Sequence, residues 1–446
     1  MQKRLIALLA TLAMIVAACS SGTGGEESTT TTAPANTTTT STSTGDTSPP
    51  DSDDGGELEG TLTIFAIPNA RPGLEAVIPA FEELHPNLTV EASYAEVDSM
   101  ISTLRTQLSA GTAADIFSAW PGNGTPGSME NLVPGGFLMD LTDLELSSRI
   151  PSGFDSVTMV DGRRYILPTS IGAIGGIYNV QAVEEAGATV PTTWSEVLQF
   201  CDDARAAGKT AFALGAQTLW NTQLITYALT PTLVYGPNPN FDEKQAQELV
   251  SFSDSGWETA FERYVEMLEY GCFQDDVLGT AYEVATELVG TGDAFAMVSV
   301  TSTFAAVANH GAEGAEFKMF ALPATDNPED TWMPAGASGG IGANANAQNP
   351  EAARAFMEYL GLPDTMAVFA DAVGQLPMIG LDTYDVPESL EVPVAHVNAG
   401  TIHPYIDQLW PNPQVQTAHF DAVQLVLGGQ MSIADALQMM DDAYHG

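Results

Sequence analysis

Six tryptophans are spread along the 446 residues, and four of them stand beside carboxamides or in loops. Trp120 closes the run "DIFSAW", with Asn123 three residues on. Trp220 sits between Gln217 and Asn221, Trp332 follows "NPEDT", and Trp410 lies in a Pro-rich connection between Leu409 and Pro411. An indole offers a flat apolar face worth about 0.5–1.5 kcal/mol beyond its buried area. Carboxamides donate and accept hydrogen bonds, which chiefly supply discrimination. That pairing suits a small solute with apolar ring faces and a polar rim, although each indole could equally pack in a core. Trp194 and Trp257 open amphipathic helical patterns and read as structural. Asn69 and Arg71 follow the first apolar strand, and Tyr178 precedes Asn179 at the end of a Gly-rich run; all four types could meet a ligand, and an arginine could pair with a carboxylate on one.

Reactive constellations are few. Gly336-Ala337-Ser338-Gly339-Gly340 fits G-x-S-x-G, which activates serine only at a strand-to-helix turn. Here the following "GGIGANA" reads as extended, so Ser338 is a candidate for lining a cleft, and a serine hydrolase is an outside reading. Histidines 85, 310, 396, 403, 419 and 445 lack paired metal spacing, and "GTGDAF" lacks the lysine of a phosphate loop. The pairs Asp202-Asp203, Asp275-Asp276 and Asp441-Asp442 read as solvated faces, and no carboxylate pair stands out for glycoside cleavage. Neither a metal nor a cofactor is expected.

Cys19 raises a different chemistry. Lys3 and Arg4 precede an apolar run from Leu5 to Ala18, the length of a signal-peptide core and short for a bilayer span. Val16-Ala17-Ala18-Cys19 resembles a bacterial lipobox, in which the thiol is acylated and the cysteine becomes the new amino terminus; each buried methylene contributes about 0.8 kcal/mol. Residues 20–56 are mostly Thr, Ser, Gly, Pro and Asp with no large apolar side chain, too polar to offset ordering entropy, and read as a tether. The expected layout is therefore a signal peptide over 1–18, a lipid-anchored disordered linker over 19–57, and a folded part outside the membrane. Removing residues 1–18 leaves 11 basic against 57 acidic side chains, a formal charge of −46. That balance opposes nucleic acid or anionic lipid on the protein surface. Cys201 and Cys272 could form a disulfide outside the cell.

The elements that would position these residues follow α/β alternation. "TLTIFAI" reads as a strand, Leu74 to Leu84 as a helix, "LTVEASY" as a strand, Val97 to Leu108 as a helix closed by Gly111, and "DIFSAW" as a third strand. Short links between them imply parallel strands and right-handed crossovers. Ligands gather beyond the carboxyl ends of such strands, which puts Asn69, Arg71, Trp120 and Asn123 near a binding edge. A second unit begins at "AIGGIYN", with a helix from Trp194, strands "TAFALGA", "DAFAMVSV" and "EFKMFALP", and closing helices over Gln414–Leu427 and Ser432–Ala443. The folded length exceeds one typical core and suggests two lobes.

Seven local patterns, in order, carry a resemblance: "AFEELHPNLTVE", "LSAGTAADIF", "GGFLMDLTD", "DGRRYILPTSIGAIGGIYN", "EEAGATVPTTWSEVLQFCDDARAAG", "NPEAARAFMEYLGLPD" and "LVLGGQMSIADALQMM". Together they resemble an extracellular solute-binding protein, family 1, of an ABC importer, in the carbohydrate-binding branch. The resemblance implies an α/β, two-lobed periplasmic-binding-protein-like (type II) fold with hinge strands between lobes. Lobe 1 would span 58–172 and 340–395, and lobe 2 would span 173–339 and 396–446. It further implies a monomer that closes on a sugar or oligosaccharide and presents it to the transmembrane subunits of a permease. The glycines at 172, 175, 176, 336, 339, 340 and 342 suit either a hinge or tight strand geometry. A cationic solute such as a polyamine is the main rival ligand, favoured by the acidic balance.

Overall fold

The computed structural model describes residues 57–446; the leader, Cys19 and the polar spacer up to Gly56 lie outside the described residues. Strand β1 (Glu59–Ala66), a helix over Arg71–Leu84, β2 (Asn87–Tyr94), a helix over Val97–Ala110 and β3 (Ile116–Ala119) follow the alternation expected of them. β1 pairs in parallel with both β2 and β3, as crossover helices require. The first helix turns Leu74, Val77 and Phe81 inward, and Phe81 meets Phe356 edge-on at 5.1 Å. Burying a side chain of that size contributes about 1.5–3 kcal/mol. Gly111 ends the second helix in the left-handed region (φ 68°) that a Cβ would resist.

A buried carboxylate ties this layer together. Asp115 is 1% exposed. One of its oxygens accepts the backbone N–H and hydroxyl of Thr63 at 2.9 and 2.7 Å, and the other accepts the amides of Gln348 and Asn349 at 2.6 and 3.0 Å. β1 is thereby fastened to the start of the helix Pro350–Leu360.

The remaining long strands are β4 (Leu167–Asn179), β5 (Thr210–Phe212), β6 (Ala294–Val300), β7 (Phe317–Phe320) and β8 (Met333–Ala343). The sheet runs β2-β1-β3-β8-β4-β6-β5, with β7 also paired to β4. β4 changes partner midway. Leu167 to Ala173 runs antiparallel to β8, and from Ile174 onward the same strand pairs with β6 and β7. Two apolar cores flank that switch. One gathers Leu62, Phe81, Ile116 and Phe356 with Ile171 of β4; the other gathers Phe200, Phe212, Trp257 and Trp410 with Ile174. Two lobes therefore share β4 and β8.

Several local expectations take a definite form. The strand expected over "TAFALGA" stops at Phe212, because the Gln274 carboxamide takes over at Leu214, accepting from its N–H at 3.0 Å and donating to its carbonyl at 2.7 Å. Trp194 and Trp257 are buried helix starts. Cys201 and Cys272 are joined in a disulfide between the helix Trp194–Ala206 and the turn after Trp257–Tyr270. At Gly175 and Gly176 the demand is close packing: a Cβ would stand 2.4 Å from the Phe320 carbonyl and 2.3 Å from its ring.

Candidate functional site

A cleft of about 500 Å³ opens beyond the carboxyl ends of β1 and β3, over the shared strands β4 and β8. Asn69, three residues past β1, and Trp120, directly after β3, lie on one side. Ser170 and Ser338, cross-strand partners on β4 and β8, lie on the floor. Trp220, Tyr227, Tyr405 and Gln408 face them from the second lobe. Trp120 rests on Gly127, where a Cβ would come within 2.9 Å of the indole. Trp220 is braced by Tyr282 at 4.8 Å, whose hydroxyl donates to Thr303 Oγ1 at 3.1 Å. Both indoles are half-buried and line the cleft.

The polar groups on the second lobe are unfinished. Tyr227 Oη, Tyr405 Oη and Gln408 Oε1 are buried without a hydrogen-bond partner among the described residues. A buried polar atom left unpaired costs roughly 1–3 kcal/mol, which a bound solute with hydroxyls would recover. The Gln408 side-chain nitrogen is already spent on the Ala337 carbonyl at 2.7 Å, so its oxygen is left to accept. Burial holds both phenols well above their ordinary pKa, so they stay protonated and able to donate. Beside them, desolvation lifts the Asp407 carboxyl from 3.8 to about 6. The carboxyl is part-exposed to the cleft, sunk deep among protein atoms yet reachable by water. Tyr227 Oη lies near it without hydrogen-bond geometry.

The two sides of the cleft already touch. Asn69 Nδ2 donates to Ser302 Oγ, just past β6, at 3.2 Å. Asn123 Nδ2 donates to the Pro411 carbonyl at 2.6 Å, and its amide to the Gln408 carbonyl at 3.3 Å. Gly122 and Gly124 make that approach possible, since a Cβ on either would stand 2.2 Å from the Gln408 carbonyl or 2.4 Å from Asp407 Oδ2.

Of the residues singled out in the sequence, Asn69, Trp120, Trp220 and Ser338 line the cleft. The others are engaged elsewhere. Arg71 stacks over Tyr94 at 4.3 Å, Asn123 is held by Pro411, and Tyr178 packs 6.0 Å from Phe320. Gln217 is exposed, Asn221 is buried and accepts the Gly215 amide at 3.1 Å, and Trp332 lies against Gly236. Trp410 is a core residue, 2% exposed, within 6.0 Å of Tyr227 and 5.9 Å of His419. Ser338 stands in mid-strand with no helix after it, so the hydrolase geometry is not met. Among the described residues no three His, Cys, Asp or Glu side chains converge on a common metal position.

Tyr227, Tyr405, Asp407 and Gln408 escaped the sequence reading. Tyr227 sits inside the apolar run "LITYALT" and gives no local signal. "YIDQLW" did carry one, since the polar pair Asp407-Gln408 is held between the apolar residues Ile406 and Trp410, both buried.

The sequence profile of the bacterial extracellular solute-binding proteins matches residues 68–367. A Brucella abortus (strain 2308) protein, named only as a binding protein, is 25% identical over 338 residues, 73% of this chain and 77% of its own. A multiple sugar-binding protein of Streptococcus mutans is 23% identical over 147 residues, 33% of this chain and 34% of its own. The solved structure of a chitin oligosaccharide binding protein superposes with a TM-score of 0.72 at 22% identity, covering 86% of this chain and 98% of that one. Profile, two-lobed sheet and interlobe cleft agree, and the chain belongs to the bacterial extracellular solute-binding protein family.

Proposed function

We propose that this protein captures a sugar or oligosaccharide between its lobes and delivers it to the permease of an ABC importer. The observation that carries the reading is the pairing of two half-buried indoles with buried hydroxyl and amide groups that lack partners. Sugar rings stack their C–H faces on aromatics, and their hydroxyls satisfy groups of the kind left open at Tyr227, Tyr405 and Gln408. Asn69, Trp120, Trp220 and Ser338 are assigned to ligand contact with them. The names of the Streptococcus relative and the chitin oligosaccharide protein support a carbohydrate ligand.

Lobe 1 is taken as 58–172 with 340–395 and lobe 2 as 173–339 with 396–446; the partner switch of β4 at Ala173–Ile174 supports the first boundary. A ligand touching both lobes stabilises the closed form by its differential affinity. The protein works as a monomer outside the cytoplasm, tethered through acylated Cys19, and performs no covalent chemistry on its ligand. Isothermal titration against mono- and oligosaccharides tests the reading: saturable binding that weakens in Trp220→Ala supports it, and silence across the panel removes the sugar. The unpaired carboxyl of Asp407 supports a polyamine as the second reading, so putrescine and spermidine belong in the same titrations.

A further inference from the structure

We propose that Asp407 selects among saccharides, and that the cleft prefers a sugar carrying a protonated amine over its neutral counterpart. This rests on the carbohydrate reading above and narrows it to a class.

The argument begins with what the open groups can accept. Gln408 Oε1 is an acceptor only, because its nitrogen is committed to Ala337. An ionised Asp407 is also an acceptor only. Tyr227 and Tyr405 can act either way. The set is weighted toward receiving hydrogen bonds, so its ligand must bring donors. No lysine, arginine or histidine lies within 4.0 Å of the Asp407 carboxyl among the described residues. The basic side chain lining the cleft, Arg105, is exposed on the helix Val97–Ala110.

Position reinforces this. Asp407 Oδ2 is pressed against Gly124 of the opposite lobe, in space a Cβ would fill, so the carboxyl is fixed at the seam where the lobes meet. A carboxylate stripped of part of its water and given no protein cation gains most from a charged donor. A charge-assisted hydrogen bond is roughly twice as strong as a neutral one. The faces of Trp120 and Trp220 favour a cation near the ring as well as the ring itself. An ammonium on a sugar meets both demands at once, whereas a neutral hydroxyl meets only the stacking and the weaker bond.

The test is a set of matched titrations near neutral pH: glucose against glucosamine, and cellobiose against the glucosamine disaccharide and its N-acetylated form. The amine form is expected to bind at least about tenfold tighter than its neutral match. In Asp407→Asn the ratio is expected to fall within about threefold, and in Asp407→Glu, which keeps the charge, to stay above it. Thermal melts establish that both variants are folded. Neutral and amine forms binding equally well in the native protein, or a ratio that survives in Asp407→Asn, overturns the selector role and leaves the sugar reading intact. Silence toward every sugar, or binding of polyamines alone, overturns both.

Discussion

Replacing Asp407 by asparagine should make the unliganded protein more stable. Desolvation lifts this carboxyl from 3.8 to about 6, so the folded state resists its ionisation by about two pH units, or at most about 3 kcal/mol. Water reaching the carboxyl through the cleft makes that a ceiling. The sign follows from the raised value. The native state holds the proton more tightly than the unfolded chain, so the penalty is full above the folded pKa and fades as pH falls toward 3.8. Tyr227, Tyr405, Gln408 and Gln416 face this part of the cleft as neutral groups. His419, stacked behind Tyr227 at 5.5 Å, is held down to about 3 by burial and stays neutral over most of the range. Paired urea unfolding curves, read by tryptophan fluorescence, check the claim, because every other titration cancels in the difference. Asp407→Asn should gain up to about 3 kcal/mol near pH 7.5, about half of that near pH 5, and little near pH 4. A variant no more stable than the native protein near pH 7.5, or a gain that persists unchanged near pH 4, would refute the reasoning.

Truncating either cleft indole, as Trp120→Ala or Trp220→Ala, should weaken binding of whichever sugar titrates by about tenfold or more, measured by calorimetry. Gly172→Ala should also cost affinity, since its Cβ would stand 2.4 Å from Tyr405 Oη and push that hydroxyl out of line; titration beside a far-ultraviolet spectrum separates this from unfolding. Removing the disulfide with Cys201→Ser and Cys272→Ser frees a loop of 71 residues and should cost about 4 kcal/mol in urea unfolding. Asp115→Ala leaves four buried or part-buried donors without their acceptor and should cost about 3 kcal/mol or more, seen as an early midpoint in the same assay.

Much of the scaffold was legible because it is locally encoded. β2 alternates between apolar and polar side chains, β1 and β3 carry short apolar runs, the helices between them repeat near 3.6, and Gly111 marks a stop, so the binding edge at Asn69 and Trp120 followed from topology alone. The second lobe hid its contribution. Trp410 sits in a Pro-rich loop and looks available, yet the helix Gln414–Leu427 brings His419 against it and Trp257 closes from another side. Asn123 and Asn221 stand beside tryptophans as candidate ligand contacts, but a carbonyl of the opposite lobe takes the amide of the first and a loop N–H takes the oxygen of the second. Tyr227 is chemically useful only because its hydroxyl emerges where two lobes meet, a fact of tertiary geometry.

The run Tyr405 to Gln408 turns three side chains to the cleft while Ile406 and Trp410 pin it to the core from the other side. If the cleft takes the proposed sugar, one short turn between two core anchors supplies three of its polar contacts. Grafting a relative's version of that turn between the same two anchors offers a way to retarget uptake without rebuilding either half of the molecule.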